Sequence, residues 1–265
     1  MNWSEVRELF PALRDWTYLN AATMGHLPAT AERAIADHLA HRNKLACADF
    51  LTWYDDHDRL REKLGRLFRC PAEDVAFIPA AAHALSLLIG GIEWRPGDRV
   101  VTLEDEFPNQ IYYPALLADK GVEFVETPWE RFYDALTERT RLVVVSALSY
   151  LNGFCPPLKE LARELRRRGI LFYVDSTQGA GALQYDLADL DLDLFACHGY
   201  KWMLAPTGIG FMMVPKRTRD WLKPNVIGWR SHEGWRNVDD LHHGAPRFAD
   251  KAEKYEGVML PAVLI

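Results

Sequence analysis

Apolar and polar positions along this chain follow two alternating periods. Short β-branched or apolar runs read as strands at Val75–Ile78, Arg99–Leu103, residues 122–125, Thr140–Ser146 and residues 170–175. Between them lie helical patterns: an Ala-rich apolar stretch over 81–92, one around 110–120, and one opened by Pro157. In the last, Leu158, Leu161, Ala162 and Leu165 share one face and Gly169 marks the end. Strands separated by helices imply right-handed crossovers and a mostly parallel sheet with helices on both faces, an α/β fold. Ligands on such sheets bind at the carboxyl ends of strands, which places Glu106-Phe107, Ser149-Tyr150, Asp175 and Lys201 on one rim. Residues 3 to 26 read as a helix followed by a loop. Residues 223 to 254, rich in Gly, His, Asn and Asp, read as loop.

Composition narrows the class. The chain has 265 residues, 49% hydrophobic and 26% charged, enough for a substantial core. A net charge of −6 argues against a nucleic-acid partner. The cluster Arg166-Arg-Arg168 ends a helix, where cations complement the dipole. Four scattered cysteines without a CxxC argue against a disulfide framework or a zinc site, and point to a reducing cytoplasm. The N-terminus lacks a signal-peptide core, and no window approaches the ~20 apolar residues of a membrane span. His242-His243 has no partner at a metal-binding spacing, so no metal is expected. The Gly-x-Ser-x-Gly and His-Glu-x-x-His signatures are absent, and Gly208-Ile-Gly210 is only half a dinucleotide fingerprint.

Lys201 stands out because residues 192–214 carry almost no other charge. Burial lowers the pKa of a lysine, and a neutral amine is a nucleophile toward carbonyls. Upstream, an apolar run ends abruptly in Asp175. An amine for an aldehyde and an anion for a ring nitrogen, facing one crevice, are what pyridoxal phosphate requires. The plainer readings are a snorkelling lysine packed on Trp202 and an aspartate that caps a helix.

The motifs Tyr18-Leu-Asn-Ala-Ala-Thr-Met-Gly-His-Leu-Pro28, Asp175-Ser-Thr-Gln178, His198-Gly-Tyr-Lys-Trp202 and Ala205-Pro-Thr-Gly-Ile-Gly210 resemble, in order, the class V aminotransferase family. This group of fold-type-I enzymes includes cysteine desulfurases, selenocysteine lyases, kynureninases and isopenicillin N epimerase types. The resemblance runs from about Trp16 to Leu260. It implies that Lys201 forms the internal aldimine and Asp175 bonds the protonated pyridine nitrogen. It further implies that Gln178 donates toward the phenolic oxygen, His198 contacts the phosphate and Phe107 stacks on the ring. Asn20 and Ala21 then line the substrate side, with Tyr150 and Arg230 as further substrate candidates. Arg230 reads either as a carboxylate clamp or, more plainly, as a surface-loop arginine. Family sites lie at a subunit interface, so a homodimer is expected.

The chain departs from the family pattern in three places. The phosphate turn reads Ala80-Ala-Ala-His83 and lacks the usual hydroxyl, leaving the N–H groups of Ala81 and Ala82, with His83 as a substitute donor or a solvent-facing residue. Met259 holds the place of a Gly-Thr that reaches a neighbouring subunit's phosphate. The expected organisation is an N-terminal segment (1–20), a cofactor-binding large domain (21–222) and a loop-rich tail (223–265) that begins an absent C-terminal domain. The apolar run at 258–265 is expected to pack on something. Cys155 and Cys197 receive no persulfide role. The resemblance implies an enzyme acting on a small amino acid, as a lyase or aminotransferase; the residues themselves do not fix the reaction, since transamination, racemisation and Cβ–S lysis share them. A cofactor-fold pseudoenzyme that binds a partner is the alternative reading, and a nucleotide-binding α/β protein a weaker third.

Overall fold

The structure, a computed structural model, describes residues 2–257. Seven strands form one sheet: β1 (Val75–Ile78), β2 (Arg99–Leu103), β3 (Glu123–Thr127), β4 (Thr140–Ser146), β5 (Leu171–Asp175), β6 (Leu194–His198) and β7 (Gly210–Met213). Their spatial order is β1-β7-β6-β5-β4-β2-β3. The five strands from β3 to β6 run parallel, whereas β7 lies antiparallel to both β6 and β1. The sheet is therefore mostly parallel, as the sequence pattern implies. Strand β3 starts one residue later than expected, because Val122 closes the preceding turn with its N–H on the Leu117 carbonyl.

Eight helices accompany the strands among the described residues: α1 (Trp3–Glu8), α2 (Ala29–Leu45), α3 (Trp53–Phe68), α4 (Ala81–Gly91), α5 (Pro108–Leu116), α6 (Phe132–Ala135), α7 (Leu158–Arg168) and α8 (Lys216–Arg219). The expected helix at 110–120 divides: α5 ends at Leu116 and a 3-10 turn continues to Lys120. Helices α2 and α3 are not legible in the hydrophobic pattern. Residues 223–254 contain only short 3-10 turns and an isolated bridge, in keeping with a loop-rich segment. Met259 and the apolar run at 258–265 lie outside the described residues.

The sheet is covered on both faces. One core joins Leu64 and Phe68 of α3, Leu161 and Leu165 of α7, and Val143, Phe172 and Phe195 of the strands. The other joins Leu85, Leu88 and Ile89 of α4 to Val100, Leu142, Val144, Tyr173 and Met212. Alternate residues of β4 thus serve opposite layers, as strand geometry requires. Burial of this apolar area drives folding at about 25 cal/mol per Å².

Helix α7 illustrates how sequence sets an element. Leu158, Leu161, Ala162 and Leu165 are its buried residues, while Arg166, Arg167 and Arg168 occupy the last turn. Gly169 follows at φ +70°, and the Gly169 and Ile170 N–H groups close on the Arg166 and Leu165 carbonyls. That closure lets β5 begin at once, which fixes where Asp175 emerges. A Cβ on Gly169 would meet open space, so Gly169→Ala carries only the backbone cost of the left-handed region. The expected loss is about 1 kcal/mol in urea unfolding, with Gly169→Asn losing less.

Candidate active site

Strand ends converge on one cleft at the carboxyl edge of β2, β4, β5 and β6. Its lining includes Phe107, Gln110, Ser146, Tyr150, Asp175, Thr177, Gln178, His198, Tyr200 and Lys201. The sequence candidates Phe107, Tyr150, Asp175, Gln178, His198 and Lys201 are thus brought together. A neighbouring hollow, lined by Glu104, Asp105, Trp129, Glu130 and Phe154 among others, meets the cleft at Ser146.

Lys201 sits in the turn after β6 and is 8% exposed. Burial depresses its amine below the ordinary lysine value, and Asp175 partly offsets this through space. Among the described residues the amine makes no ion pair; instead Nζ lies 5.7 Å from the Phe107 ring centroid and 5.6 Å from that of Tyr200. The plainer picture of a snorkelling lysine fits poorly, because its head is inside the cleft. The N-terminal loop packs on this turn: the Gly25 N–H donates to the Tyr200 carbonyl at 2.9 Å. A Cβ on Gly25 would lie 2.0 Å from the Lys201 carbonyl oxygen, so only glycine allows this approach.

Asp175 ends β5 and is 5% exposed. Oδ1 accepts the Thr177 N–H at 2.8 Å, and Oδ2 accepts the Gln110 side-chain N–H at 2.8 Å. Burial raises its pKa, while the bonds from Thr177 and Gln110 pull it down again. Glu106 is a second buried carboxyl raised by desolvation; it accepts the Ser146 N–H at 2.6 Å and the Ser146 hydroxyl.

Gln178 bridges two segments: Nε2 donates to the Ala22 carbonyl at 2.9 Å, and Oε1 accepts the Trp202 indole N–H at 3.0 Å. An amide nitrogen carries two hydrogens, so a second donor remains. The His198 N–H donates to Thr177 Oγ1 at 3.0 Å, and its buried Nε2 has no partner among the described residues. Burial lowers the His198 pKa, which favours the neutral ring. The Phe107 and Tyr150 rings meet edge-on at 5.3 Å.

Other candidates do not line this cleft themselves. Ala81, Ala82 and His83 form the N-terminal turn of α4, with no side-chain cap, and the Tyr173 hydroxyl ties Ala81 O to β5 at 3.1 Å. His83 is half-buried and its pKa is lowered by desolvation, so it is not a freely solvated ring. Asn20 is exposed and accepts the Thr23 hydroxyl at 2.8 Å, and Ala21 is half-buried beside it. Neither lines the cleft directly, although the next residue, Ala22, bonds Gln178.

Arg230 corrects the surface-loop expectation. It is 1% exposed, and Nη2 bonds Glu256 at 2.8 Å and Glu253 at 3.3 Å. Its guanidinium lies over the Tyr54 and Trp235 rings. It is thus a buried member of an ion-pair cluster rather than a surface-loop arginine, and it does not line this cleft.

Sequence reasoning missed Gln110, Ser146, Thr177 and Tyr200. Thr177 and Tyr200 sit inside the recognised motifs, whereas Gln110 reads as an ordinary polar helix residue. Among the described residues, no group of three or more His, Cys, Asp or Glu could hold a metal ion. Within them no helix is long and apolar enough to cross a membrane.

The aminotransferase class-V family model matches residues 22–256. A probable cysteine desulfurase of Methanothermobacter thermautotrophicus is 28% identical, over 86% of this chain and 60% of that protein. The isopenicillin N epimerase of Amycolatopsis lactamdurans is 29% identical, over 90% and 64%. The chain spans about three fifths of the length of these curated relatives. Among solved structures, the cystine C–S lyase C-DES in complex with cysteine persulfide superposes with a TM-score of 0.85 at 24% identity, covering 96% of this chain and 70% of that one. An apo cysteine desulfurase from Thermococcus onnurineus gives 0.85 at 20% identity, covering 100% and 68%. At these identities the structural likeness establishes the fold.

Proposed function

The chain belongs to the aminotransferase class-V family, and from that premise we propose that it is a pyridoxal-phosphate-dependent lyase or aminotransferase acting on a small amino acid. One observation carries the reading: a desolvated amine without an ion pair, Lys201, opens into the same cleft as Asp175, whose two oxygens are each held by a donor. The relatives named as desulfurases and an epimerase support the amino-acid substrate class.

The donor set fits the cofactor. His198 Nε2 is a buried polar atom in need of a partner, and the first amides of α4 are free in the manner of any helix start. When bound, pyridoxal phosphate supplies an aldehyde that captures amines and a ring that accepts an electron pair from the substrate Cα. Lys201 would hold the aldehyde carbon and then move a proton at Cα. Asp175 would hold the ring-nitrogen proton, which low polarity around it strengthens. Phe107 would cover one ring face, an offset contact worth about 1 kcal/mol beyond its area. The spare N–H of Gln178 would meet the phenolic oxygen. His198 and the amides of Ala81 and Ala82, with His83 beside them, would meet the phosphate. Tyr150 and the loop carrying Asn20 and Ala21 would face the substrate.

Proposed with this reading are a large domain spanning 21–222, a homodimer, and a reducing cytoplasmic location, the last supported by four free cysteines. The test is direct. Purified chain mixed with pyridoxal phosphate should turn yellow, bleach with borohydride, and change spectrum on adding amino acids. A colourless protein would instead favour a partner-binding pseudoenzyme.

The pH dependence follows from the depressed Lys201 amine. Only the neutral amine attacks, so capture quickens as pH rises and levels off once the amine is neutral. Because burial lowers the amine's pKa from the ordinary value of 10.5, the midpoint of the rate profile for cofactor capture should fall below pH 10.5. A midpoint at or above pH 10.5 would mean a fully solvated lysine.

A further inference from the structure

We propose that Gln110 is a positioning residue for Asp175, which it fixes in roll and charge state; this rests on the assignment of Asp175 to the cofactor's ring nitrogen. Gln110 lies in the first turn of α5 and is 1% exposed. Its side-chain nitrogen donates to Asp175 Oδ2 at 2.8 Å and has Ser146 Oγ at 3.4 Å. The Ser146 hydroxyl in turn donates to Glu106. Two buried carboxylates are therefore linked through two neutral groups, with every hydrogen directed toward an anion at either end.

This direction settles the amide's orientation. Turning Gln110 over would set its carbonyl oxygen against the Asp175 carboxylate and leave Ser146 without that donor. In the present orientation Oε1 is buried without a partner among the described residues, at the cleft wall. The arrangement favours an ionised Asp175, since Gln110 offers it a donor and no acceptor.

Position follows from the same bonds. Thr177, in the turn after β5, holds Oδ1, whereas Gln110 reaches across from α5 to hold Oδ2. With only Thr177 left, the carboxylate could rotate about its last side-chain bond. The titratable groups that act electrostatically with Asp175 are Lys201, Glu106, Tyr173, Tyr200 and Cys197. Of these only Lys201 supplies a positive charge. The loss of a neutral donor is therefore felt mainly by the carboxylate itself.

The test reads the pH midpoint of the bound cofactor's absorbance in the full chain. Gln110→Met keeps the volume and removes the donor. Without that donor the Asp175 carboxylate is more basic and would draw the ring-nitrogen proton onto itself, and the nitrogen joining cofactor to Lys201 would then keep its own proton to higher pH. The midpoint should rise by about one pH unit, the scale of one hydrogen bond to a charged group. In an Asp175→Asn background the same change should add nothing, because Gln110 acts through Asp175. If Gln110→Met fails to fold, Gln110→Asn retains the buried amide but falls a methylene short, and should shift the midpoint the same way. An unchanged midpoint, or a full shift on top of Asp175→Asn, overturns the inference while leaving the cofactor reading intact. An unmodified chain that takes up no cofactor overturns both.

Discussion

Replacing Lys201 by alanine should abolish covalent capture of pyridoxal phosphate and slow amino-acid turnover by about 10²–10⁴-fold, the range typical of a lost general acid–base. The expectation follows from placement. Lys201 is the amine in the cleft with Asp175, and its environment lowers the cost of losing its proton. Lys254 offers an internal contrast. It too is buried and depressed by desolvation, yet its Nζ donates to the Arg219 carbonyl at 2.6 Å, away from the cleft. Lys254→Met should therefore leave the yellow band in place. A Lys201→Ala protein that keeps a borohydride-sensitive band would refute the assignment.

The second large effect concerns stability. Glu256→Gln should destabilise the protein by about 3–5 kcal/mol in urea unfolding, the usual result of breaking a buried ion pair. Glu256 is 1% exposed and receives Arg61, Arg230 at 2.8 Å and the Phe77 N–H at 2.7 Å. Glutamine keeps the volume but presents one oxygen and an N–H₂ to three donors. At least one buried guanidinium would then face a donor instead of an acceptor. His57, buried in the same cluster, offers no compensation, because burial and the two arginines hold its pKa down to about 3. The network ties α3 and β1 to the segment around 230–256, so loss should loosen that segment and leave the cleft chemistry intact. A change within about 1 kcal/mol would mean the pairs contribute little beyond packing.

Much of this arrangement is visible in the residues. Strands β1, β2 and β4 are short β-branched runs bounded by turns, and buried parallel strands have few other ways to look. Lys201 and Asp175 are legible because a charge inside an apolar run is costly and therefore purposeful. Helix α3 escapes the same logic: its buried face includes His57 and Arg61 beside Tyr54, Leu64 and Phe68, so polar residues interrupt the apolar stripe. Helix α2 has no buried residue at all and leaves no periodic signal. Arg230 and Gln110 were opaque for a different reason. Their partners lie 26 and 65 positions away, and only the folded sheet brings them together.

The central claim is that one particular amine meets the cofactor's aldehyde. Borohydride reduction of the pyridoxal-phosphate-loaded chain, followed by proteolysis and mass spectrometry of the peptides, tests it most directly. A single pyridoxyl group on Lys201 is the expected result. A stable adduct on Lys254 or another lysine, or none on any, would contradict it.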